Sequence, residues 1–353
     1  MADTMKALVY RGPEKYGLED VPVPKIIEPD DVIGKVILST ICGSDIHIVH
    51  GGMPEVRYPL IIGHEFCAEI VEAGPAVKNL KVGDKVVVSC VAFCGECWYC
   101  KQGLYAHCQK PGFGCFGVYG QEGCQTEYVR MPGADNYCYH IPESLTPQDV
   151  LFSGDILSTG YFGAEMTEIQ PGDTVVVVGA GPVGLCCMTT ARLWGPSRII
   201  AVDMVQSRLD VAIKEGIADI ALNPGKDDVV EIIKSLTGGL GADRSIECVG
   251  LQPTFDTALA AVRAGGQMST IGIYEKPLSV PLNQVWAKNL KFGWGFVPMN
   301  RMPKLISLIE AGKINTNFLC THKAPLNDIM RGYDVFGNKK ENCLKWLVTP
   351  WEK

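Results

Sequence analysis

Positive charge is what this chain has too little of. Its 353 residues carry 32 Lys and Arg against 39 Asp and Glu, a net charge of −7, with no compact basic patch to offset it. That balance argues against nucleic acid as a partner. An unbroken apolar run of membrane length is also missing. The most apolar segment, residues 174–191, is interrupted by Gly179, Gly181, Pro182 and Gly184, which argues against a membrane span. Nor does the first stretch show a charged region followed by a long apolar core, so no signal peptide is expected and the cytoplasm is the expected location. Charged residues are only 20% and hydrophobic residues 47%, the balance of a folded chain, and the length favours two domains over one core.

Cysteine, by contrast, is abundant. Fifteen thiols in a chain without an export signal argue for metal binding over a disulfide framework. Cys94, Cys97, Cys100 and Cys108 have the spacing of a closed tetrahedral Cys₄ zinc site, which holds a lobe together and leaves no position for substrate. A second group is Cys42-Gly-Ser44-Asp-Ile-His47 with Gly63-His64-Glu65 downstream. Thiolate, imidazole and carboxylate are zinc ligands, and Ser44 and His47 beside the thiolate suit proton transfer. Read locally, the same residues also fit a buried Cys and a turn with a hydrogen-bonded His. Asp155 lies at a helix entry, where an Asp is ordinarily an N-cap.

The first 150 residues alternate apolar and polar in short runs with Gly and Pro punctuation, a mostly β pattern. From residue 174 onward, strands and helices alternate as in a doubly wound parallel sheet. Thr174-Val-Val-Val-Val runs into Gly179-Ala-Gly181-Pro182-Val183-Gly184 and then a helix, the context a dinucleotide-binding glycine loop requires. The next strand, residues 198–203, ends in Asp203, nineteen positions after Gly184. A carboxylate there accepts from both ribose hydroxyls and repels a 2′-phosphate, favouring NAD over NADP; otherwise it caps the following helix. Two helices (302–311 and about 326–335) and a strand (343–348) break the alternation and are expected to return to the first domain.

Together these motifs resemble the zinc-dependent medium-chain alcohol dehydrogenases, over about residues 5–348. The resemblance implies an α/β architecture, with a GroES-like β-rich catalytic domain (1–155 and 297–353) and a Rossmann domain (156–296). It implies zinc bound catalytically by Cys42 and His64, with Glu65 an alternate or outer ligand, and structurally by the four-Cys lobe. The third catalytic ligand falls on Asp155, the pattern of tetrameric bacterial secondary alcohol dehydrogenases and glutathione-independent formaldehyde dehydrogenases. It further implies that Gly179, Gly181, Pro182, Val183, Gly184, Asp203, Arg208, Thr159, Val249, Ile271 and Ile273 line the cofactor. Ser44 and His47 would carry the substrate proton outward. Cys90 falls where the family lines its substrate pocket, often with a bulky aromatic; a Cys leaves room for a branched or secondary alcohol, and Trp294 and Ile273 are further wall candidates. The implied reaction is reversible hydride transfer between a small alcohol and NAD, giving a ketone or aldehyde. A polyol or formaldehyde dehydrogenase is the alternative on the same scaffold, and a cofactor-binding protein without activity a more distant one. A homotetramer or homodimer is expected. Two departures stand out: the microbial secondary alcohol dehydrogenases typically lack the four-Cys lobe and often use NADP, and this chain is shorter than the formaldehyde dehydrogenases.

Overall fold

The strand Thr174–Val178 is buried at every position, as a run of valines covered on both faces must be. In the computed structural model, which describes residues 3–352, it lies near the middle of a six-stranded sheet. Across that sheet the order is Ile220–Leu222, Arg198–Val202, Thr174–Val178, Ala242–Glu247, Val262–Thr270 and Lys291–Trp294, and every pairing is parallel. In chain order this is 3-2-1-4-5-6, which puts a reversal of strand order beside Thr174–Val178 and so opens a crevice at its C-terminal end. Helices Ile156–Met166, Pro182–Ala191, Gln206–Lys214, Val229–Leu236 and Gln252–Ala261 accompany it. These residues form one compact unit, Ile156–Val297.

The other unit joins Met1–Asp155 to Pro298–Lys353. Its larger sheet runs Cys138–His140, Lys85–Val88, Phe66–Ala73, Asp31–Thr40, Trp346–Thr349, His322–Pro325, with Tyr128–Pro132 also paired to Asp31–Thr40. The chain's end thus returns as a strand beside Asp31–Thr40, placing Leu347 opposite Thr40. A three-stranded sheet of Tyr16–Pro22, Thr4–Tyr10 and Leu60–Ile61 and a two-stranded one of Val91–Ala92 and Gly114–Cys115 accompany it. Val32, Val36, Phe66, Ile70, Val86 and Val88, all fully buried, fill the interior between the strands.

Several details differ from expectation. Val297 groups with the inserted unit, one residue later than the sequence boundary. The strand Tyr16–Pro22 was not anticipated, because it is an edge strand, half-exposed throughout, carrying Gly17, Glu19, Asp20 and Pro22. His322–Pro325 escaped notice for the same reason. The Cys42 stretch opens a helix, Gly43–Val49, directly after the longest strand of the unit. Among the described residues no helix is long and apolar enough to cross a membrane.

Candidate active site

Three turns bring one donor atom each to a common point. Cys42 ends the passage out of Asp31–Thr40 and starts the helix Gly43–Val49, its N–H donating to Asp45 Oδ2 at 2.9 Å. His64 follows the short strand Leu60–Ile61 through Gly63, whose φ of +99° needs a residue without a Cβ. Asp155 follows the one-turn helix Leu151–Gly154; Gly154 packs so closely that a Cβ there would lie 2.4 Å from the Val88 carbonyl oxygen. The donor atoms of Cys42, His64 and Asp155 all lie within 4.8 Å of one another, and all three residues are buried. His64 Nε2 is 3.3 Å from Asp155 Oδ2, and the Cys42 Sγ is 3.7 Å from that same oxygen. The carboxylate of Asp155 thus turns toward the thiol and the imidazole.

The electrostatics of this cluster call for a cation at its centre. Burial opposes charging His64, but Asp45 and Asp155 outweigh it and push the imidazole well above the ordinary histidine value. Burial likewise raises Asp155, yet His64 and Lys345 hold it below the usual carboxylate range. Burial raises the Cys42 thiol. On the far side of the ring, His64 Nδ1 and Asp45 Oδ1 face each other at 3.3 Å; neither has an aligned hydrogen-bond partner. An imidazole backed by a carboxylate on Nδ1, with Nε2 aimed at a thiol and a second carboxylate, is a zinc-ligand arrangement. Ser44 Oγ lies 3.1 Å from His64 Nε2, against the donors, and His47 sits three residues along the same helix.

Glu65 is not among the converging donors. Fully buried, it pairs through Oε2 with Lys345, itself fully buried, and Lys345 also donates to the Ile41 carbonyl at 3.1 Å. Burial would lower the Lys345 ammonium; the Glu65 carboxylate outweighs it and keeps the lysine charged. Sequence reasoning missed Lys345, Asp45 and Gln125, which backs Asp45. Lys345 had a signal, a lone charge inside the apolar run Cys343-Leu-Lys-Trp-Leu-Val. Asp45 had another, its position three residues after a helix start.

The Cys94, Cys97, Cys100 and Cys108 sulfurs also lie within 4.8 Å of one another. Four sulfurs about 2.3 Å from one zinc would stand about 3.8 Å apart, and the Cys94 and Cys100 sulfurs are 3.9 Å apart. Backbone N–H groups of Glu96 and Cys97 point at the Cys94 sulfur and that of Cys94 at the Cys108 sulfur, each at 3.4 Å. Backbone donors lower the Cys97 thiol to about 6, whereas burial pushes those of Cys100 and Cys108 up. None of the fifteen cysteines is in a disulfide.

In the other unit, Gly179 has φ +103°, and a Cβ on Gly184 would lie 1.8 Å from the Gly179 carbonyl oxygen. Gly181 caps the helix Pro182–Ala191, leaving its first amides free for an anion. Asp203 abuts this loop, accepting from Ala180 N and Val205 N at 2.7 Å each, and Arg208 Nη1 is 3.6 Å from where a Gly181 Cβ would be. Thr159 is part-buried on Ile156–Met166, and Val183 part-buried in the first turn after Gly181. Val249 touches the position a Gly179 Cβ would take. Beneath Val249, the buried carboxylate of Glu247 takes the N–H groups of Val249 and Gly250 and the hydroxyls of Thr254, Thr270 and Tyr274. That hub joins the loop carrying Val249 to the one carrying Ile271 and Ile273. Within this unit Ile273 and Trp294 stand exposed, at 41% and 70%. Cys90, by contrast, is buried, its sulfur 3.7 Å from that of Met299.

A parallel sheet with a glycine loop, in one chain with a β-rich unit carrying a Cys-His-Asp donor set, describes a dinucleotide-dependent metal dehydrogenase. Residues 28–143 match the alcohol dehydrogenase GroES-like domain, and residues 182–311 match the zinc-binding dehydrogenase domain. An alcohol dehydrogenase of Cupriavidus necator is 37% identical over 99% of this chain and 100% of that protein. Among solved structures, zinc-dependent alcohol dehydrogenase 2 from Streptococcus pneumonia has a TM-score of 0.93 and 36% identity, covering 99% of both chains. A zinc-binding dehydrogenase from Sinorhizobium meliloti 1021, solved with NADP, has a TM-score of 0.88 and 27% identity, covering 99% of this chain and 100% of that one. The chain belongs to the zinc-binding alcohol dehydrogenase family and is an alcohol oxidoreductase.

Proposed function

We propose that this enzyme moves a hydride reversibly between a small secondary alcohol and NAD, with zinc held by Cys42, His64 and Asp155. The observation that carries the reading is the convergence of those three buried donors, with Ser44 3.1 Å from His64 Nε2. Zinc supplies Lewis acidity, drawing charge from an alcohol oxygen so that its proton leaves near neutral pH. Ser44 would accept that proton, and His47, three residues along the same helix, would exchange it with water. Cys42 and Asp155 bring negative charge to the donor set, and Lys345 keeps Glu65 engaged beside it. The four-Cys lobe takes a second, structural zinc.

NAD is favoured because Asp203 places a carboxylate at the end of the second strand, where a 2′-phosphate would meet like charge. Cys90, small where the family often has an aromatic, favours a branched carbon. A second copy of the chain is the expected partner: Lys291–Trp294 is the outermost strand of its sheet, with Trp294 70% exposed.

Initial rates with 1-propanol and 2-propanol, each with NAD and with NADP, before and after chelation, test the reading. The expected result is chelator-sensitive NAD reduction that favours 2-propanol. Preference for 1-propanol would overturn the secondary-alcohol assignment, and turnover untouched by zinc removal would overturn the role of the metal.

A further inference from the structure

Asp45 is itself held from behind. Gln125, fully buried, donates its Nε2 to Asp45 Oδ2 at 2.9 Å, while its Oε1 accepts the Tyr333 hydroxyl at 2.7 Å. A carboxylate only accepts, so the amide NH₂ must face Asp45 and its oxygen must face Tyr333. The tyrosine hydroxyl is therefore the donor to Gln125, which sets the polar direction from Tyr333 as far as Asp45. Asp45 is left as an acceptor facing His64 Nδ1 at 3.3 Å. An imidazole with its proton on Nδ1 presents Nε2 as a lone pair.

We propose that Tyr333 and Gln125 are positioning residues for the metal centre: the line Tyr333–Gln125–Asp45 sets the tautomer and ring orientation of His64 from the helix Ile329–Gly337. This rests on the reading of Cys42, His64 and Asp155 as a zinc site. Burial makes the coupling strong. His64, Asp45, Gln125 and Tyr333 are all at most 4% exposed, so removing one member leaves its neighbour without water to replace it. Space around the line is also committed. A Cβ on Gly63, next to His64, would lie 2.5 Å from Gln125 Cγ, so the glycine before the ligand makes room for the amide behind it. The far end is anchored by the Tyr333 ring, 5.3 Å from that of Tyr16, and by Gly337, which packs against Ile46 of the Cys42 helix. Because Asp45 also takes the Cys42 N–H, the same line bears on the thiol ligand.

Zinc transfer from the full-length enzyme to a chelator, followed well below the melting temperature, provides the test. Wild type is expected to release two zincs in separate phases, and His64→Ala, lacking one, identifies the catalytic phase. Tyr333→Phe keeps the ring contact with Tyr16 and removes only the hydroxyl; Gln125→Met keeps the volume and removes both polar contacts. Both should release the catalytic zinc roughly tenfold faster, the low end for outer partners of a ligand, with the other phase unchanged. Cobalt in that site should show a shifted visible band in both. Wild-type phases in both variants, or equal acceleration of both phases, would overturn the positioning role while leaving the metal site standing. Two zincs retained by His64→Ala would overturn the metal reading itself.

Discussion

At Gly184 the tolerance for a single methyl group is nil. The atom it would strike is the Gly179 carbonyl oxygen, which is backbone and cannot rotate away. Gly184→Ala is expected to displace the loop and weaken NADH binding about 5- to 150-fold, given about 1–3 kcal/mol for overpacking, with zinc content unchanged; fluorescence titration and metal analysis check both halves. Asp203 is a different case, since its carboxylate also shapes the loop, accepting from Ala180 N and Val205 N, besides the ribose contact proposed for it. Asp203→Asn keeps an acceptor and removes the charge. The ratio of kcat/KM for NAD over NADP should then fall about tenfold or more, because a like-charge contact costs several kcal/mol; an unchanged ratio would remove Asp203 from cofactor choice.

In the β-rich unit the pairing of Asp31–Thr40 with Tyr128–Pro132 is fastened at one end by an ion pair. Asp31 starts its strand, and Arg130 reaches it from the partner strand with two bonds, at 2.6 and 2.9 Å, while Ile27 and Glu28 N–H groups bind the same carboxylate at 2.8 Å. Burial pushes Asp31 up, but Arg130 and those two amides outweigh it and hold its pKa low. The folded pKa lies below the unfolded one, so this stability is present at neutral pH and disappears as pH falls through the folded value. Asp31→Asn should cost about 2–4 kcal/mol at pH 7, and the gap between variant and wild-type urea midpoints should close below about pH 4. Elements differed in how well the sequence announced them. The valine-rich strand Thr174–Val178 and its glycine loop are local patterns, and the structure has them where the residues imply. The edge strand Tyr16–Pro22 is half wet and carries no such pattern. Of the converging donors, Cys42 and His64 stand out by residue type and spacing and Asp155 only through the family resemblance, whereas the groups behind them come from far along the chain: Gln125 is 80 residues from Asp45, Tyr333 is 208 from Gln125, and Lys345 is 280 from Glu65. Nothing in a local window reports such pairings.

Across the whole molecule, the β-rich unit is assembled from both ends of the chain, and the strand Trp346–Thr349 binds beside Asp31–Thr40. Ending the chain at Leu344 should therefore abolish the metal centre, because it removes both that strand and Lys345, the partner of Glu65. Inside this unit the four-Cys lobe has a modest aromatic interior, chiefly Phe93 stacked on Tyr105 at 3.9 Å. Cys100→Ser should accordingly lower both zinc content, by one per chain, and the melting temperature. The two donor sets of this unit also differ in chemical softness. Four sulfurs on one side and a single sulfur with imidazole and carboxylate on the other will not rank metals alike. Offered a mixture, the lobe should favour cadmium and copper(I), while the Cys-His-Asp set should accept cobalt more readily than the lobe does. A cell's trace-metal supply would then decide the reactivity of the enzyme separately from its folding, and one polypeptide would exist as several metal isoforms.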